Sequence, residues 1–206
     1  GMLLVWNVVG NKILMKNFKK EGKYMKKILL LSSSIGLSTL LFTGCGIKTT
    51  EYNPSADNVQ TLRDFKDLKL NVSNFTSTNK GESSVLCRLA ETVSTPKGEP
   101  FSTYIENALL SELKMAGNYD KNSNINLSGN INKVYGSSMF GNAYWEINAT
   151  IISSNGKSLT VNTKRDYPSA YLASTACNNM GTSFEPTVNQ LVSDILNHKD
   201  FPELIK

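Results

Sequence analysis

The chain has 206 residues, of which 40% are apolar and 19% are charged, a composition that excludes both wholesale disorder and a protein with many membrane spans. Its net charge of +5 comes from one end: residues 1–44 contain seven lysines and one glutamate, whereas the remaining chain contains 15 basic and 16 acidic side chains. Because most of the chain is nearly neutral, its charge gives no reason to expect a nucleic-acid partner.

Residues 25–44 have the organisation of an export signal. Lys26 and Lys27 precede an apolar run of 15 residues, 28–42, which is shorter than the roughly 20 residues that a membrane-spanning helix needs. A positive start, a short apolar region and small residues before a cleavage point are typical of a signal peptide. We therefore expect residues 25–44 to direct export. The alternative is a buried or anchoring apolar helix that an unrelated cysteine happens to follow.

The end of this segment, from Leu41 to Cys45, resembles the lipobox of bacterial lipoproteins, although that family favours Leu at the position where Phe42 stands. The resemblance implies that the Cys45 thiol carries a diacylglycerol, that the signal is cleaved before it, and that the new amino terminus is acylated, for example with palmitate. Gly46 follows the cysteine in place of Asp, which in this family implies transfer to the outer membrane, facing the periplasm. The membrane is therefore the expected partner of the N-terminus, through the lipid on Cys45.

Residues 1–24 do not belong to such a signal, because a signal peptide begins near its positive region. The codons for Glu21 and Gly22 must contain a purine-rich block, at the distance from the Met25 codon that is typical of a ribosome-binding site. We interpret Met25 as the true start, residues 2–24 as an untranslated extension, and Gly1 as a remnant of cloning. The alternative is a genuine cytoplasmic tail.

The exported part is expected to contain a tether and one domain. Residues 45–66 are polar and without periodicity, which predicts a flexible tether, and residues 67–206 suit a single domain. Within that domain, alternating apolar side chains predict strands. These strands cover residues 68–72, 85–89, 125–131, 143–151 and 159–163. Residues 74–83 and 94–98 have the composition of loops, and Asn155-Gly156 that of a tight hairpin turn.

Two amphipathic helices are predicted. The first follows Pro100, carries an apolar stripe from Phe101 to Ala116, and ends at Gly117 as a left-handed cap. The second covers residues 170–197, where Pro186 predicts a kink or break, and a short apolar turn follows at 201–205. The expected fold is therefore α+β, with an antiparallel sheet of four to five strands and both helices packed on one of its faces.

The remaining cysteines, Cys87 and Cys177, form an even pair in a compartment where disulfides persist. Each lies on an apolar stripe, Cys87 between Val85 and Leu89 on a predicted strand and Cys177 on the long helix. We therefore expect both to point into one core and to form a disulfide. The alternative is two separate buried thiols.

Several segments resemble a set of uncharacterised proteobacterial envelope lipoproteins and, more distantly, the YajG-type envelope lipoproteins. The similar segments lie between residues 85 and 205. They are Cys87-Arg88, the helix stripe from Phe101 to Tyr119, Leu127-x-Gly129, the turn 153–158, Ala176-Cys177 and residues 184–192. Their features are structural, so the resemblance implies location and fold and transfers no catalytic residue.

No catalytic or metal-binding motif is recognisable. The single histidine, His198, follows the long helix and is expected to face the helix dipole as a cation. With one histidine in the chain, a metal site built from several histidines is excluded. Glu106 and Glu112 are expected to be solvated on the polar helix face. Gly136 to Gly141 lacks the Gly-Lys-Ser/Thr ending of a phosphate-binding loop and is expected to form a flexible hairpin loop. We expect no cofactor and no metal.

Exposed aromatic side chains around the sheet edge are the one candidate for recognition. Tyr135, Phe140 and Tyr144 are mixed there with Ser, Gly and Asn, a composition that suits adaptable binding surfaces. The function expected is therefore that of a non-enzymatic envelope lipoprotein that binds a protein or glycan partner or assists envelope assembly. The alternative is an envelope hydrolase whose carboxylate or serine site leaves no sequence trace.

Overall fold

A computed structural model describes residues 46–89 and 91–206. The predictions about the extension over residues 1–24, the signal peptide over residues 25–44 and the lipid on Cys45 lie outside the described residues.

Strands and helices cover most of the described part of the chain. In chain order they are β1 (Ile47–Lys48), α1 (Ala56–Asp64), β2 (Asn71–Ser77), β3 (Ser84–Cys87), β4 (Glu91–Ser94), α2 (Phe101–Ala116), β5 (Asn126–Met139), β6 (Asn142–Ser153), β7 (Ser158–Asp166), α3 (Ala173–Leu196) and α4 (Phe201–Leu204).

The strands form two mixed sheets, so the α+β class is confirmed and the expectation of one antiparallel sheet is corrected. The larger sheet has the order β2-β5-β6-β7, with β2 parallel to β5 and the other pairs antiparallel. The smaller sheet has the order β1-β4-β3, with β1 parallel to β4. The parallel β2–β5 pair arises because the chain passes through β3, β4 and α2 between these strands, which returns it in the same direction.

Helices α2 and α3 pack on one face of the four-stranded sheet, as expected. Alternate residues of β6 are buried against them, from Trp145 to Ile151. The Trp145 Nε1–H donates a hydrogen bond of 2.9 Å to the Met180 carbonyl oxygen on α3. Its ring lies 4.9 Å from that of Phe184, measured between centroids. The core therefore lies between this inner sheet face and the two helices.

The ends of α2 agree with the sequence analysis, but the break in α3 does not occur. Helix α2 starts after Pro100 and ends at Gly117, whose φ of 84° is left-handed. Helix α3 continues through Pro186. Buried Phe184 and Val188 hold this turn in the core on either side of the proline, and the Thr187 hydroxyl donates to the Ser183 carbonyl oxygen at 2.8 Å.

The expected disulfide between Cys87 and Cys177 is confirmed. The two sulfur atoms lie 2.07 Å apart and the two Cα atoms 5.7 Å apart, and both residues are fully buried. The bond joins the end of β3 to the first turns of α3, across 90 residues of sequence.

The flexible tether expected over residues 45–66 is not observed in its described part. Residues 46–66 instead belong to the domain, which therefore begins well before residue 67. The Thr49 amide donates to the Ser94 carbonyl oxygen at 2.8 Å, and the Tyr104 hydroxyl donates to the Thr50 carbonyl oxygen at 2.9 Å. Helix α1 buries Leu62 completely. The apolar residues that anchor this segment are widely spaced along the sequence. They therefore show no local periodicity from which this packing could be predicted.

Two predicted loops are partly strand. Residues 74–77 belong to β2, and β5 continues through Gly136 to Met139, leaving a tight turn at Phe140-Gly141. A Cβ atom on Gly136 would lie 2.2 Å from Cε at the flexible end of Met180 and 3.0 Å from the Trp145 ring. The glycine therefore allows close packing of the strand on the core.

Candidate functional site

The outer face of the four-stranded sheet is uncovered in the described part of the chain. Its residues are half-buried or exposed, and their amides and hydroxyls bind one another across the strands. Asn132 on β5 donates to Asn148 at 2.7 Å and to Thr150 at 2.9 Å, both on β6. The hydroxyls of Thr150 and Thr160 lie 2.9 Å apart. We call this surface the open face.

Two of the three residues predicted for recognition meet at one end of the open face. The rings of Tyr135 on β5 and Tyr144 on β6 lie 5.8 Å apart between centroids. The Lys133 amine lies 5.2 Å from the Tyr135 ring centre and the Lys164 amine 4.0 Å from that of Tyr144, distances that permit cation–π attraction. We call these two residues the tyrosine pair.

An ion pair borders the tyrosine pair. The Lys133 amine donates to the Glu146 carboxylate at 2.7 Å. This hydrogen bond raises the pKa of the Lys133 amine and lowers the pKa of the Glu146 carboxyl. Both groups therefore stay charged near neutral pH, and the aromatic rings are flanked by charges of both signs.

Phe140, the third predicted residue, lies on a different surface. It occupies the turn between β5 and β6, where its ring lies 6.3 Å from that of Tyr171 in an edge-on arrangement. Phe140 belongs to a group of large, exposed apolar side chains at this end of the molecule. We call this group the apolar end. Its members are Leu86, Leu89, Met139, Phe140, Tyr171 and Leu172, with exposed fractions from 54% for Leu86 to 90% for Leu89.

Arg88 holds the segments of the apolar end together. Its Nε–H donates to the Ser138 carbonyl oxygen and its Nη2–H to the Ala170 carbonyl oxygen, both at 2.6 Å. Arg88 and Leu89 have φ values of 50° and 55°, a conformation that costs free energy for residues other than glycine. The backbone thereby directs Leu89 outward, whereas strand alternation had predicted it beside Cys87 and Val85.

Glu112 is buried, contrary to the expectation that it is solvated. Its Oε1 accepts hydrogen bonds from the Tyr52 hydroxyl at 2.6 Å, the Ser55 amide at 2.8 Å and the Asn58 side-chain amide at 3.2 Å, whereas its Oε2 has no protein partner. Burial, reinforced by the hydrogen bond to Glu112, raises the pKa of Tyr52. Glu106 is also engaged, accepting from the Phe75 amide at 2.9 Å.

A polar cleft of 520 Å³ lies over the start of α1 and the middle of α3. Asp57, Arg165 and Glu185 contribute charged side chains to its lining. Glu185 already accepts from the Asn189 side-chain amide at 2.5 Å and from the Asn53 amide at 3.4 Å. These contacts fix the N-terminal segment to α3, which is a structural role.

The histidine that the sequence analysis placed at the end of the long helix has a structural role as well. His198 follows α3, and its Nδ1 accepts from the Asp200 amide at 3.2 Å. Within residues 46–89 and 91–206, three or more His, Cys, Asp or Glu side chains nowhere gather closely enough to hold a metal ion. A helix long and apolar enough to cross a membrane is likewise absent from that part.

Comparisons with known proteins give a distant structural similarity and no family. No family model and no curated protein matches the chain. The chain is similar to the crystal structure of a Xanthomonas campestris protein with the family description DUF330, with a TM-score of 0.43 and 14% sequence identity, over 73% of this chain and 90% of that one. This degree of similarity shows neither a shared family nor a shared function, and it does not support the resemblance to YajG-type lipoproteins.

Proposed function

We propose that the chain is a non-enzymatic lipoprotein of the cell envelope, anchored at Cys45 and facing the periplasm, whose open face binds a partner at the tyrosine pair. The observation that carries the proposal is the pairing of Tyr135 with Tyr144 on an uncovered sheet face. Tyr135 is exposed and Tyr144 is half-buried, and surface tyrosines supply a large contact area at a small cost in conformational entropy. The lysines and Glu146 beside them supply charges that can orient a partner.

A protein is the partner class that best fits the tyrosine pair. Protein interfaces are enriched in aromatic residues at their centres and carry a polar rim. The tyrosine pair has this arrangement, because Lys133, Glu146 and Lys164 surround it. Residues of this kind, when central, contribute much of the binding free energy.

The rows of amides and hydroxyls favour a second candidate, a glycan partner. Asn132, Asn148 and Thr150 could exchange their mutual hydrogen bonds for bonds to sugar hydroxyls, since amide and hydroxyl groups both donate and accept. The tyrosine rings could then stack against a sugar ring. The two candidates share the same face and differ in the chemistry of the partner.

Site-specific crosslinking in intact envelopes tests the proposal. A photoreactive residue in place of Asn162, which is exposed on the open face, is expected to yield a defined adduct. The same residue in place of exposed Lys157, at the other end of the β6–β7 hairpin, is the matched control. Tyr144→Ala should reduce the Asn162 adduct by about tenfold, the effect of losing a central aromatic contact, whereas Tyr171→Ala at the apolar end should not.

The fate of the adduct separates the two partner classes. A glycan partner gives an adduct whose added mass is removed by glycan-degrading enzymes. A protein partner gives an adduct that these enzymes leave intact and that yields peptides of a second protein after protease digestion. If Tyr135→Ala and Tyr144→Ala both leave every adduct unchanged, the binding surface is not on the open face.

A further inference from the structure

The apolar end exposes more hydrophobic surface than an isolated domain needs. Three separate segments each place two large side chains there: the end of β3 with the turn that follows it, the end of β5 with the turn that follows it, and the residues before α3. Contiguous exposed apolar patches of this kind mark sites of contact with proteins or membranes. Arg88, the basic residue among them, has its guanidinium bonded to two carbonyl oxygens, so the end presents mainly apolar atoms.

The N-terminal part of the domain enters the fold at this same end. Strand β1 pairs in parallel with β4, with Ile47 opposite Val93. Moving backward from Ile47 therefore leads toward the β3–β4 turn. At Gly46 a Cβ atom would lie 2.6 Å from the Thr92 hydroxyl oxygen, and Thr92 is paired with exposed Leu86. Gly46 thus lies two strand spacings, about 10 Å, from the Leu86 backbone.

Almost no flexible linker separates the anchor position from the domain. Cys45 precedes Gly46 directly, and Ile47 already hydrogen-bonds in a sheet. Its side chain also packs on α3, where a Cβ atom on Gly181 would lie 2.7 Å from Ile47 Cγ2. A lipid on Cys45 would therefore hold the bilayer surface next to the apolar end.

We propose that the apolar end is the membrane-contacting surface of the protein, and that Leu89, Phe140, Tyr171 and their apolar neighbours enter the lipid interface around the Cys45 anchor. This inference rests on the lipidation in the proposed function. Aromatic and aliphatic side chains favour this interfacial region. The acyl chains on Cys45 hold the chain at the membrane but do not set the orientation of the domain, whereas insertion of the apolar end adds apolar burial and fixes that orientation. Strands β5 and β6 then run away from the bilayer. The tyrosine pair lies within four residues of Met139 and Phe140 and is therefore close to the lipid surface, and the rest of the open face is accessible to a partner.

Tryptophan reporters in the full-length, lipidated protein test this orientation. The protein is reconstituted into vesicles of phosphatidylethanolamine and phosphatidylglycerol, with and without brominated acyl chains that quench tryptophan fluorescence. Phe140→Trp and Tyr171→Trp place reporters at the apolar end, and Lys157→Trp is the matched control at the opposite end of the sheet. Subtracting the signal of the unsubstituted protein removes the contribution of buried Trp145.

The apolar-end reporters are expected to lose about half of their fluorescence in brominated vesicles, as for side chains buried about 5–10 Å into the interface, and Lys157→Trp is expected to lose almost none. If the apolar-end reporters and Lys157→Trp are quenched equally in protein that floats with the vesicles, the inference is overturned and the anchor is left intact. Equal quenching would mean that the domain has no fixed orientation on the membrane or that other protein covers the apolar end. If the protein extracted from membranes carries no acyl chains and fails to float with the vesicles, the anchor and this inference are both overturned.

Discussion

Glu112 shows how one side chain can organise a segment that is distant in sequence. The carboxylate lies on α2 and binds three donors from residues 52–58, so it fixes the N-terminal part of the domain to the core. A helical position with polar neighbours gives no hint of this role, because the donors are more than 50 residues away. The sequence therefore predicted the helix correctly and the environment of Glu112 incorrectly.

Replacing Glu112 tests whether it holds this segment. Glu112→Ala leaves three donors without their acceptor and is expected to lower the free energy of unfolding by about 3 kcal/mol. Glu112→Gln keeps one acceptor oxygen and should cost about 1 kcal/mol, which makes it the matched control. Urea unfolding measures both values. Hydrogen exchange should also show faster exchange of the Ser55 amide in Glu112→Ala; unchanged protection would mean that the segment is held elsewhere.

The elements that sequence predicts well are those stabilised by their own residues. Helix α2 has a proline at its start, a continuous apolar stripe and a glycine cap at Gly117, all of which act locally. Strand β6 alternates without interruption from Ala143 to Ile151. The tyrosine pair was only partly predictable, because it lies on β5 and β6, the two central strands, rather than at the sheet edge, and β5 extends beyond its predicted end at residue 131.

The elements that sequence misses depend on distant partners. Strand β2 continues past Asn74 because Phe75 packs over Gly129 of β5, where a Cβ atom would lie 2.6 Å from the ring. Strand β1 has only two residues and exists through its pairing with β4. The apolar end also escapes prediction, since the left-handed backbone at Arg88 and Leu89 reverses the expected direction of the side chains.

The disulfide joins strand β3 of the smaller sheet to helix α3. Its removal is expected to lower the free energy of unfolding. A crosslink over 90 residues restricts the unfolded chain by about 4–5 kcal/mol in the chain-entropy treatment. Cys87→Ala with Cys177→Ala should lower the urea midpoint accordingly. Reducing agent should destabilise the unsubstituted protein and leave the double variant unchanged. A midpoint shift equivalent to less than 1 kcal/mol would show that the bond does not constrain the unfolded chain.

At the scale of the whole molecule, two adjoining candidate surfaces divide the aromatic residues that the sequence grouped together. They meet at Tyr135, which lines one groove with Leu86, Leu89 and Met139. Phe140 belongs with the apolar end, next to the entry of the chain at Gly46, and the tyrosine pair belongs with the open face. This division gives each surface a separate role in the proposals: one contacts lipid and the other contacts a partner. The lipid-contacting role depends on the anchor, because only an anchor at Cys45 places the apolar end at a membrane.

Processing at Cys45 is therefore the prediction on which the layout depends. Lys26-Lys27, the apolar run of 15 residues and Gly44 before the cysteine are typical of a cleaved, lipidated precursor. Protein extracted from membranes should begin at Cys45 and carry the added mass of its acyl chains, as read by mass spectrometry. Cys45→Ser should leave an uncleaved precursor without lipid, whereas Cys87→Ala with Cys177→Ala should be processed normally. An intact peptide spanning residues 43–48 with a free Cys45 thiol would contradict the anchor, since it shows both an uncleaved signal and an unmodified cysteine.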